Sequence, residues 1–121
     1  MSLAQVLFVR GLLGEADKHV SAALREEPGN VLALRLLARI RRSRRDFTGA
    51  EVCYRRILAY TRNDPDVNLD LAELLIEMVK PDRAIYYAKV AADRGNPART
   101  NLTLGQAYLL KRSMVPEATA F

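Results

Sequence analysis

The chain has 121 residues, half of them hydrophobic and 27% charged, with a formal charge of +5 carried by 15 Arg and 4 Lys against 14 acidic residues. That balance belongs to a folded chain of one domain and excludes a disordered polyelectrolyte. Apolar runs such as Val6 to Val9 or Leu74 to Ile76 fall far below the roughly 20 residues a membrane helix needs, and no secretory leader is legible at the N-terminus.

In chain order, alanines at 16, 50, 84 and 118 mark steps of 34 residues, and neighbouring columns keep the same step. Leu3-Ala4 returns as Leu37-Ala38 and Leu71-Ala72; Leu13, Phe47, Pro81 and Val115 fall in register. Four units follow, approximately 1–30, 31–64, 65–97 and 98–121. Each has two blocks of helical periodicity around a short turn, which predicts a helix hairpin. In the second unit "VLALRLLARIRR" places Leu34, Leu37, Ala38 and Arg41 on one face. Asp46 is set to cap the following block, "FTGAEVCYRRILAY", whose face is Phe47, Ala50, Tyr54, Ile57 and Leu58. Pro81 and Pro116 stand near first helical turns, where a missing amide donor does little harm. Glu26-Glu27-Pro28-Gly29-Asn30, Asn63-Asp64-Pro65 and Gly95-Asn96-Pro97 read as breaker-rich linkers that close the units. The small residues Ala16, Ala50, Ala84, Ala118, Ala38, Ala72 and Gly105 permit close helix approach, and Tyr54 and Tyr108 fill the remaining space.

These columns resemble the tetratricopeptide repeats over essentially the whole chain. The first unit carries Leu3, Ala4, Gly11, Ala16, Ala23, Leu24 and Pro28, and the last carries Leu104, Gly105, Tyr108 and Ala118. The sequence departs from the family at Arg41, where a Tyr is usual, and at Arg62 and Asn96, where the loop Pro is usual. Leu104-Gly105 also come one residue early relative to Ala118. The resemblance implies an all-α, right-handed α-solenoid of about four hairpins, the last truncated, forming a single domain. Since a closing helix usually covers the last repeat, the chain is expected to be a piece of a longer protein or to cover its end by self-association.

By the same resemblance, the first helices line a concave groove that receives a partner peptide or helix. Helical phase assigns to that groove Gln5 and Phe8; Arg35, Arg39 and Arg42; Leu69, Glu73 and Ile76, with Asp66; and Arg99, Leu102, Gln106 and Leu109. Arg35, Arg39 and Arg42 form one stripe able to hold carboxylates bidentately, so the expected partner is a protein or peptide with an acidic segment. Phe8, Leu69, Leu102 and Leu109 are expected to offer apolar pockets. The alternative for the stripe is a solvated basic face, with Glu73 neutralising Arg39. The chaperone-binding carboxylate clamp of some family members is not matched, because Gln5, Leu36 and Asp70 stand where Asn, Asn and Lys are needed.

Rival functions find less in the sequence. A self-associating scaffold using the terminal repeat is the structural alternative. "RIRRSRR", Arg39 to Arg45, lacks aromatic residues for base stacking and is followed by Asp46, which argues against nucleic acid. His19 has no partner at a triad or metal spacing, Cys53 reads as a small buried apolar residue, and Gly11 to Gly14 lacks the ending of a phosphate loop. Neither a catalytic residue nor a metal or other cofactor is implied. Cytoplasmic placement is the default expectation, with a periplasmic or secreted chain as the alternative.

Overall fold

A computed structural model of the chain describes residues 12–114. Among the described residues are six α-helices and no strand: α1 Leu13–Glu26, α2 Val31–Ser43, α3 Phe47–Tyr60, α4 Pro65–Glu77, α5 Pro81–Ala91 and α6 Pro97–Met114. They fall into two compact units divided between Arg62 and Asn63.

In the first unit α2 packs against both α1 and α3. Its 3.6-residue periodicity buries Leu34, Leu37, Ala38 and Ile40, while α1 contributes Ala16, Val20 and Leu24 and α3 contributes Ala50, Cys53, Tyr54 and Ile57. Each fully buried Leu or Ile contributes about 2 kcal/mol of transfer free energy. Ala16 and Ala50 are completely buried, as expected of residues that let two helix backbones approach. Asn30 and Asp46 start α2 and α3: their Oδ1 atoms accept the N–H groups of Ala33 and Gly49, each at 3.0 Å.

In the second unit α4 packs against α5 and α6. Asp64 Oδ1 accepts the Asp66 and Val67 N–H groups at 3.0 and 3.3 Å, and Asn96 Oδ1 accepts those of Ala98 and Arg99 at the same distances. Pro65, Pro81 and Pro97 each occupy the first position of a helix, where no donor is lost. The sequence reading assigned Pro65 and Pro97 to closing linkers; they open the next helices instead.

Cap to cap, the repeat step is 34 residues from Asn30 to Asp64 but 32 from Asp64 to Asn96. The shortening arises in α5, which has 11 residues where α3 has 14. After α5 the chain turns through Gly95, whose N–H donates to Ala91 O at 2.8 Å. A Cβ on Gly95 would lie 3.0 Å from that carbonyl and 3.2 Å from Pro65 Cβ, so the turn selects glycine by close approach.

The α2–α3 and α4–α5 turns have one geometry. Asp46 N–H donates to Arg41 O and Lys80 N–H to Leu75 O, both at 2.8 Å, while Arg45 and Val79 bond back to Arg42 O and Ile76 O. This is the double bond pattern that ends a helix with a left-handed residue, here Arg45 at φ 65° and Val79 at φ 60°.

Candidate functional site

The arginine stripe lies on α2, with Arg39 exposed and Arg35 and Arg42 half-buried. All three already take part in interactions within the protein. Two further arginines of this basic run serve α1: Arg44 Nη1 reaches Asp17 Oδ2 at 3.2 Å, and Arg41 Nε lies 3.8 Å from the same oxygen. Ser21 donates to the other Asp17 oxygen at 3.0 Å. Arg45 turns over the Phe47 ring, 5.3 Å from its centroid. Residues 1–62 hold 12 Lys and Arg against 6 Asp and Glu, whereas residues 63–121 hold 7 against 8.

On α4 a stripe of acids takes the place of the arginines, although only Glu73 stands in register with one of them, Arg39. Asp66, Asp70 and Glu73 recur at helical spacing and converge on one guanidinium, that of Arg99 in the first turn of α6. Arg99 Nε donates to Glu73 Oε1 at 3.0 Å; Nη2 donates to Glu73 Oε2 at 3.1 Å and to Asp70 Oδ1 at 2.6 Å; Nη1 lies 3.9 Å from Asp66 Oδ1. Asp70 is only 9% exposed. The Arg99 pKa is raised, first by the hydrogen bond to Glu73, with partial burial opposing and the hydrogen bond to Asp70 adding to the rise. These acids therefore hold a side chain of their own fold; among the described residues no group of three His, Cys, Asp or Glu is arranged to hold a metal ion.

Several assigned positions stand differently from their expected role. Gln5 and Phe8 lie outside the described residues. Leu69 is completely buried and offers no pocket to a ligand, because α4 is enclosed on nearly every side, with Val67 to Ala72 all buried. Glu73 and Arg99, assigned to face a ligand, are tied to each other. Ile76 is half-buried near the end of α4. Gln106, Leu102 and Leu109 are exposed on α6, the two leucines at 64% and 70%. The packing column of α6 is Thr100, Thr103 and Ala107. Gly105 and Tyr108, expected in that column, are exposed, and Lys89 Nζ stands 6.0 Å from the Tyr108 centroid. Sequence reasoning missed Asp70 as the partner of Arg99; the i, i+4, i+7 acids of α4 were the available signal.

Other singled-out residues stay apart from this cluster. His19 is exposed on α1. Cys53 is 2% exposed, and burial pushes its thiol pKa up, with Arg41 and Arg56 acting the other way. Lys111 donates to Asp82 at 2.9 Å across α5 and α6, which raises its pKa. Among the described residues no helix is long and apolar enough to cross a membrane.

No family model and no curated protein matches the chain. Solved structures do. The MamA protein superposes with a TM-score of 0.83 at 18% identity, over 91% of this chain and 61% of that one. The MamA RS-1 ArsTM double mutant gives 0.84 at 18%, over 92% and 63%. The type III secretion chaperone SycD of Yersinia enterocolitica, solved in complex with a peptide of the translocator YopD, gives 0.81 at 18%, over 90% and 89%. The chain thus spans about three-fifths of the length of the MamA chains it matches. At this identity the likeness is one of fold: an all-α solenoid of tetratricopeptide-like helix hairpins.

Proposed function

We propose that the chain is a noncatalytic protein-interaction module of the tetratricopeptide family, a single block of repeats that binds a partner peptide or helix on the exposed faces of its first helices. The observation that carries this reading is the fold shared with SycD over 89% of that chain, since SycD was solved holding a peptide of YopD. Each unit offers contacts of its own: α2 the charge of the stripe that contains Arg39, and α6 the apolar area of Leu102 and Leu109. An acidic segment suits the first unit, whose twofold excess of basic residues raises the local concentration of anions and speeds encounter.

The test is affinity capture from lysate of the source cells with the whole chain as bait, beside an Arg35→Glu, Arg39→Glu, Arg42→Glu variant of equal helicity, with captured proteins identified by mass spectrometry. Partners held by the native chain and lost from the variant, with release by moderate salt, are expected. Equal retention by both baits removes the arginine stripe from the mechanism. Capture no greater than on a bare matrix removes the interaction module itself.

A further inference from the structure

Four residues of α6 share one strip, with Leu102, Gln106 and Leu109 exposed and Arg99 half-buried. At about 100° per residue, Arg99, Leu102, Gln106 and Leu109 fall within about 80° of arc, beside the buried column of Thr100, Thr103 and Ala107. Leu102 and Leu109 are two turns apart, about 10 Å along the axis. That distance is close to the roughly 9 Å between side chains three residues apart on a polyproline II peptide, which has three residues per turn and so presents both on one face. At the N-terminal end of the strip stands Arg99 with the carboxylates of α4 around it. Asp66 is the outermost, 60% exposed by side chain and 3.9 Å from the guanidinium, long enough to accept a second cation.

We propose that this strip is a docking site for a peptide that joins a pair of apolar side chains to a Lys or Arg, the apolar pair seated on Leu102 and Leu109 and the cation on Asp66. The inference rests on the reading of the chain as a peptide-binding module, but it names a ligand chemistry opposite to that of the arginine stripe. Charge decides between the two here. A carboxylate brought to this strip meets Asp66 first, with the Arg99 donors already directed at Asp70 and Glu73, whereas an ammonium or guanidinium finds an exposed carboxylate at hand. Gln106, between the leucines, can both donate to and accept from a peptide backbone running along the strip.

Phage-displayed random peptides panned on the whole chain provide the probe, and enriched sequences, synthesised with a fluorescent label, are titrated by anisotropy. The expected result is a consensus of two apolar residues with Lys or Arg in excess. Its affinity should fall by about tenfold or more with Leu102→Asp/Leu109→Asp, and also with the milder Leu102→Ala/Leu109→Ala. Asp66→Lys should weaken basic peptides and spare uncharged analogues. Circular dichroism melts certify that each variant is folded, and the alanine pair keeps the test open if the aspartate pair is not. Enriched peptides that are acidic and depend on Arg35, Arg39 and Arg42 overturn this inference and leave the interaction module standing. Peptides that bind all the α6 variants equally overturn the inference as well. Failure of every peptide to exceed a scrambled control overturns both.

Discussion

The α2–α3 and α4–α5 hairpins close through the same turn, yet the helices that open them carry opposite charge and keep it differently. In the first unit the arginines of α2 and its C-terminal turn reach outward to Asp17, and these pairs stay in solvent contact, with Arg44 about half exposed. In the second, the acids of α4 are drawn inward onto Arg99, and Asp70 is buried in the process. A charge pair at the surface is screened and contributes little. A charge buried with its partner costs much to desolvate and still more to orphan.

The contrast gives the largest expected effect. Arg99→Met should destabilise the second unit by about 2 kcal/mol, below the 3–5 kcal/mol of a fully buried pair because Arg99 and Glu73 keep contact with solvent. Asp17→Asn in the first unit should lose less than about 1 kcal/mol. Urea unfolding followed by circular dichroism measures both, and the rate at which Cys53 reacts with a thiol reagent reports separately on the first unit. Equal losses for the two variants would show that the two clusters are alike in energy whatever their burial.

The shared turn can be split next. A non-glycine residue in the left-handed region is strained by roughly 1–2 kcal/mol, and a β-branched one is poorly suited to it. Val79→Gly should therefore stabilise the protein by about 1 kcal/mol, after allowance for the greater chain entropy of glycine. Arg45→Gly should gain about half as much, since it gives up the cation–π contact with Phe47. Thermal midpoints of the two variants check the order. A loss at Val79 would mean that its side chain contributes more by packing than its backbone loses by strain.

How far the sequence revealed these features follows from the range of each interaction. The α2–α3 and α4–α5 hairpins and the Asp46 cap were legible because they depend on neighbours within a few residues, whereas the cap-to-cap step of 34 residues, expected throughout, holds from Asn30 to Asp64 but not from Asp64 to Asn96. Gly11, Arg45 and Val79 stand 34 residues apart, so the turn position could be found by register, but Arg and Val do not advertise a left-handed turn. For the pairing of Arg99 with Asp70 the sequence offered only the acid stripe of α4, not the partner it meets. That pairing depends on the register of α6 against α4, which the short α5 shifts by two residues. Leu69 was misplaced for a related reason: periodicity identifies one buried face of a helix, not a helix enclosed on several.

A smaller effect concerns a hydroxyl. Thr100 Oγ1 is buried on α6 and has no hydrogen-bond partner among the described residues. Thr100→Val keeps the shape and removes the unmade bond, so it should stabilise the second unit by up to about 1 kcal/mol. A loss of that size in urea unfolding would show that the hydroxyl is satisfied.

The finest comparison sets one glycine of each unit against the other. Gly105 lies inside α6 with nothing among the described residues within 4 Å of where a Cβ would stand, so Gly105→Ala should gain about 0.8 kcal/mol of helix propensity. Gly49 lies in the first turn of α3, where a Cβ would stand 2.8 Å from Asp46 Cγ and 2.9 Å from Arg41 Cδ. There the propensity gain is offset by displacement of a cap that contributes about 1 kcal/mol, and Gly49→Ala should change stability by less than about 0.5 kcal/mol. Thermal melts of the two alanine variants decide the matter. Stabilisation at Gly105 alone means that this face of α6 is open to solvent, as the geometry has it. Destabilisation there means that something packs closely against it, and the Leu104-Gly105-Tyr108 column would then serve the helix approach that its resemblance to the tetratricopeptide repeats implies.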